Sequence, residues 1–180
     1  IASLVVFGGV SDSIGDPITP ITPITLDTSD LKMIDLETNT YVEATAVAGP
    51  FEWANASSIN PSDFNEIFML GGSDFVYLDK TGDASAAAFG YTFIVSAENK
   101  PAGQFTLSWD GQPLPTNFDL VFALKSGQEV YPLYFFDDFY LANAPKNTTG
   151  QFEVTFNFNK KGVPQDLSFM AVYGRPGAPI

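Results

Sequence analysis

The sequence contains no cysteine and no histidine, and only 8 of its 180 residues are lysine or arginine. Without histidine there is no imidazole general base or imidazole metal ligand. Without cysteine there is no thiol nucleophile, zinc–thiolate site or iron–sulfur ligation. Disulfides are excluded as a source of stability, and a cysteine-free chain fits any redox compartment. The shortage of cations leaves a net charge of −13. A phosphate backbone or an anionic lipid surface would be repelled, so neither nucleic acid nor membrane is an expected partner. No apolar run approaches the roughly 20 residues a bilayer-spanning helix needs.

What is present is aromatic: 17 Phe, 7 Tyr and 2 Trp within 45% hydrophobic residues. Aromatic and β-branched side chains suit pleated, half-buried surfaces, and Asn, Gly and Pro between the apolar runs suit turns. The candidate strands are 40–47, 75–78, 89–96, 104–109, 118–124, 129–136, 151–158 and 168–173. Gln151 to Phe158 alternates most cleanly, with Phe152, Val154, Phe156 and Phe158 on one face. Pro132 favours an edge or a bulge. Asn60 is a good N-cap and Pro61 suits the first helical turn. Phe64, Ile67 and Phe68 then recur at helical spacing, which predicts one short helix over an open end of the body. The expected fold is an all-β antiparallel sandwich or jelly roll with one short helix and an extended N-terminal strand.

Three segments divide the chain: an apolar leader over 1–16, a Pro-Ile-Thr linker over 17–26, and the body over 27–180. Leu4, Val5, Val6 and Phe7 make the leader apolar on both faces of a strand, so it requires cover on both sides. Three sources of cover fit: a place in its own core, a former signal peptide, or insertion into a neighbouring molecule. In the linker, proline at every third residue favours polyproline II, which aligns Ile18, Ile21 and Ile24 in one stripe. Nine such residues reach roughly 28 Å, enough to carry the leader away from its body. The chain begins at Ile1 rather than Met, as a processed product would.

Catalytic constellations are scarce. Asp137 and Asp138 are adjacent, so a regular strand would point them to opposite faces, which does not suit paired-carboxylate chemistry. Glu43, Asp63 and Glu153 form no motif, and no enzyme activity is expected. Asp12, Asp16, Asp137 and Asp138 offer the oxygen ligands calcium prefers, without an EF-hand pattern. No other cofactor is expected. Asn55-Ala56-Ser57 and Asn147-Thr148-Thr149 fit the N-glycosylation acceptor pattern.

The C-terminal half carries a familiar order of segments: Gln104 to Trp109, Phe118 to Gly127, Tyr131 to Phe136, and Gln165 to Arg175. It resembles the corresponding half of PEP-CTERM exported cell-surface and matrix proteins. This chain lacks their Pro-Glu-Pro motif, apolar helix and basic tail, and has Met170 near a position often occupied by histidine there. The resemblance implies trimming at both ends, export, and release at the cell surface, often beside exopolysaccharide. It assigns no catalytic residue.

Together these readings give an extracellular structural subunit that polymerises with itself into filaments or matrix by donating its N-terminal strand. The alternative is a monomeric carbohydrate-binding or adhesive module whose leader pairs within its own chain.

Overall fold

A computed structural model of the chain describes residues 5–6, 25–52, 59–83, 86–111, 116–127 and 130–177. Among them, twelve strands form two six-stranded sheets that pack face to face. The strands are β1 (Val5–Val6), β2 (Leu31–Asp35), β3 (Thr40–Glu43), β4 (Ala46–Glu52), β5 (Val76–Lys80) and β6 (Ala86–Ala88). Then follow β7 (Tyr91–Ala97), β8 (Ala102–Gly111), β9 (Thr116–Ser126), β10 (Val130–Leu141), β11 (Asn147–Glu153) and β12 (Leu167–Pro176). Sheet A has the order β1-β4-β10-β9-β12-β5, and sheet B the order β3-β2-β11-β8-β7-β6. The all-β sandwich expected from the sequence is therefore the fold. Every pairing among the described residues is antiparallel except β1 with β4. No helix among them is long and apolar enough to cross a membrane.

The alternating faces meet between the sheets. Leu31, Met33, Phe93, Phe105 and Leu107 of sheet B pack with Phe118, Leu120, Phe122, Leu124, Tyr134 and Val172 of sheet A. Aromatic edges bind this layer, with Phe105 and Phe122 centroids 5.5 Å apart and Phe122 and Phe136 5.6 Å apart, both edge-to-face.

Sheet A is buried on its other face too. Ile59, Phe64 and Phe75 lie against Val121, Ala123, Tyr131, Leu133, Phe135, Ala171 and Tyr173. Phe64 meets the Tyr173 ring edge-on at 5.1 Å, and Phe68 stacks on Phe135 at 5.3 Å. The helical spacing of Phe64, Ile67 and Phe68 thus packs as anticipated, but against the outer face of sheet A rather than an open end. The helix itself is one turn, α1 (Phe64–Ile67), preceded by a 3-10 turn at Pro61–Asp63 that Asn60 caps through the Ser62 N–H.

Three strand readings change in the structure. The run 40–47 is two strands, because the chain crosses from sheet B to sheet A at Ala44 and Thr45. The strand 151–158 leaves its ladder after Glu153; Val154 and Phe156 remain buried, while Phe158 is exposed. Of the extended N-terminal strand, only Val5–Val6 is shown, paired in parallel with Val47 and Ala48 of the same chain. Leu4, Phe7, Ile18, Ile21 and Ile24 lie outside the described residues.

Two buried carboxylates tie the sheets at opposite sides. Asp79 on β5 accepts the Val95 N–H of β7 at 2.7 Å. Asp30, before β2, accepts the Tyr134 hydroxyl at 3.3 Å and the Thr155 hydroxyl at 2.7 Å. Burial raises the pKa of both acids, against hydrogen bonds that lower it.

Gly150 on β11 lies where a Cβ would collide with the Phe105 ring and the Lys32 carbonyl. Gly150→Ala is expected to destabilise the fold by about 1–3 kcal/mol, read from urea unfolding midpoints. Because the folded-state pKa of Asp79 is raised, its stabilising contribution is full below the unfolded value and is lost as pH rises through the folded value. Asp79→Asn should therefore stabilise the protein relative to wild type at pH 7, and that advantage should shrink on acidification toward pH 4.

Candidate functional site

The first candidate is the β4 edge. β4 runs between β1 and β10, and Val47 and Ala48 are each only 3% exposed. Val47 belongs to the inter-sheet core. Val5 lies in register with Val47 and Val6 with Ala48. Gly49 adopts φ +99°, Pro50 follows, and the β4–β10 register shifts between Tyr131 and Leu133. Pro132 is the single β10 residue opposite the bulged pair Gly49 and Pro50 of β4, so the shift falls where its proline favoured an edge or a bulge. Among the described residues, the pairs registered on this edge are Val5 with Val47 and Val6 with Ala48. Of the residues expected to drive assembly, the structure places Val5 and Val6 on this edge.

The second candidate is an acidic notch at one end of sheet A. A bulge in β10 between Phe136 and Phe139 inserts one extra residue against β9, and Asp138 adopts φ +47°. Asp137 and Asp138 consequently do not point to opposite faces. With Asp119 of β9 they bring carboxylate oxygens within 4.8 Å of one another. The expectation from strand alternation fails here because the bulge breaks the two-residue period.

Asp119 anchors the notch. It is 6% exposed, accepts Arg175 Nε at 2.8 Å through one oxygen, and accepts the Asp138 N–H at 3.1 Å through the other. Arg175 is itself 6% exposed and donates through Nη1 to Asn65 Oδ1 at 2.8 Å and the Ser73 carbonyl at 2.7 Å. Its guanidinium lies 4.5 Å from the Phe75 ring centroid. The Asp137 N–H donates to Thr45 Oγ1 at 3.1 Å, which fixes the bulge to the crossover before β4. Burial, then the neighbouring Asp119 and Asp138, raise the pKa of Asp137; Arg175 opposes them.

The notch is an open recess of about 270 Å³ bordered by Gly72, Ser73 and Gly177 as well. Three carboxylates face one guanidinium there. Their oxygens are of the kind calcium takes, and they include Asp137 and Asp138 of the expected set. Such convergence is equally that of a solvated acidic surface. Asp12 and Asp16 lie outside the described residues, as does Asn55. Asn147 opens β11 with an exposed side chain, while Thr148 beside it is buried. Sequence reasoning missed Asp119 and Arg175. Asp119 reads as the wet side of an alternating strand, and nothing local announces the cover on that side.

Arg175→Met leaves Asp119 buried without its counter-ion and is expected to cost about 3–5 kcal/mol by chemical denaturation. Replacing both partners, as Asp119→Asn with Arg175→Met, should recover part of that loss. Asp137→Asn removes a repelled charge whose raised pKa favours the protonated form. It should raise the stability slightly at pH 7, by under about 1 kcal/mol after solvent screening, read as a small rise in melting temperature that fades toward pH 4.

No protein-family model, curated protein or solved structure matches this chain.

Proposed function

We propose that the protein is an exported, non-enzymatic structural subunit that assembles with copies of itself at the cell surface or in extracellular matrix through its N-terminal strand. The observation that carries this reading is the β1–β4 pairing. A short strand, joined to the body by residues 7–25, completes the edge of a finished sandwich. The strand lies on its own chain here, the arrangement the monomeric alternative also expects, and assembly requires the same segment to serve another copy. Repetition of that exchange head to tail does not close, so it produces fibres. The aromatic core, the shortage of cations and the resemblance to PEP-CTERM proteins all agree with a durable exported module.

A second reading, a carbohydrate-binding or adhesive module, is favoured by a recess of about 410 Å³ on sheet B. Lys32, Gln104, Gln151 and Glu153 line it with the donors and acceptors that sugar hydroxyls need. Surface exopolysaccharide is the partner in that case.

Light scattering over a concentration series separates the two. The full chain is expected to form species of high mass that grow with concentration, and deletion of residues 1–16 should leave monomers. Equal assembly with and without those residues would overturn the proposal. A protein that stays monomeric at every concentration and is retarded in gels containing polysaccharide would support the second reading.

A further inference from the structure

Granting the proposed self-assembly, we infer that the acceptor is the outer edge of β4 at Ala46–Ala48. The occupant is Val5–Val6 of a second copy, in the register that the chain's own strand adopts here. Two observations locate it.

First, β1 is the only parallel strand among the described residues. Parallel pairing cannot be made by a hairpin and needs a long connection. Residues 7–25 supply one whose extended length is about 65 Å. The body, with a radius of gyration of about 16 Å, is roughly 40 Å across. The connection can therefore return the strand to its own body or carry it to the next.

Second, β4 requires cover. Val47 and Ala48 are 3% exposed with β1 beside them, and Val47 is part of the inter-sheet core. A chain whose strand has left exposes this edge together with its backbone donors and acceptors, and an identical strand restores both.

The balance between the two arrangements follows from effective concentration. A tether of this length presents its own strand at millimolar levels, so dilute protein keeps the strand at home. Exchange takes over as the concentration approaches that range, or when adjoining bodies add contacts of their own.

The chain has no cysteine, so engineered thiols report the pairing without background. Val5→Cys and Val47→Cys are made as separate variants, assembled together, and oxidised. The expected result is a disulfide-linked dimer several-fold more abundant in the mixture than in either variant alone. Val6→Cys with Ala48→Cys should behave alike, and guards against misfolding caused by substitution in the core. Assembly of the mixture without this cross-link, for both pairs, would overturn the β4 assignment and leave strand donation at another site intact. A double Val5→Cys/Val47→Cys variant that closes only within single chains while polymers form would also overturn it. Absence of polymer from the wild-type chain at any concentration would instead defeat the assembly reading itself.

Discussion

Sheet A has to be dry on both of its faces, and the rest of the architecture answers that requirement. Sheet B covers one side with Phe93, Phe105 and Leu107. The segment from Ile59 to Phe75 covers the other with Phe64 and Phe75. β9 and β10 therefore carry side chains that are apolar in both directions, and their polar exceptions must be neutralised where they stand. Asp119 is such an exception. Its ion pair with Arg175, and the bonds from Arg175 to Asn65 and Ser73, join the outer cover to the sheet through one buried guanidinium. A buried pair of this kind adds little net stability compared with apolar groups of the same shape, but it fixes how the layers sit.

Sequence periodicity revealed the strands well where only one face is buried. Phe105, Leu107 and Trp109 alternate with Gln104, Thr106 and Ser108, and β8 has that burial pattern. It was less informative in β9, where Asp119, Val121 and Ala123 alternate with Phe118, Leu120, Phe122 and Leu124 and yet are buried as well. Burial there is imposed by a segment some 50 residues upstream, a tertiary fact that no local window contains. β2 and β6 escaped notice because five and three residues give too little period to recognise. The acidic notch was half visible. The adjacent pair Asp137–Asp138 stood out, but the bulge that turns both toward Asp119 depends on register against β9 and is not encoded in spacing.

The functional reading rests on edges rather than on a pocket. The notch gathers three carboxylates and one guanidinium, and the sheet B recess is lined by Lys32, Gln104, Gln151 and Glu153. The β4 edge differs in being completed by a segment that comes from far away along the chain. Long tethers to short strands decouple the stability of a body from the identity of the molecule that finishes it.

The Gly49–Pro50 step has a protective consequence. An uninterrupted β4 rim would offer a long flat row of unpaired amides to any extended peptide, the template on which amyloid-like stacking grows. Pro50 has no N–H to offer, so the rim loses a donor there and becomes a poorer foothold for indiscriminate aggregation.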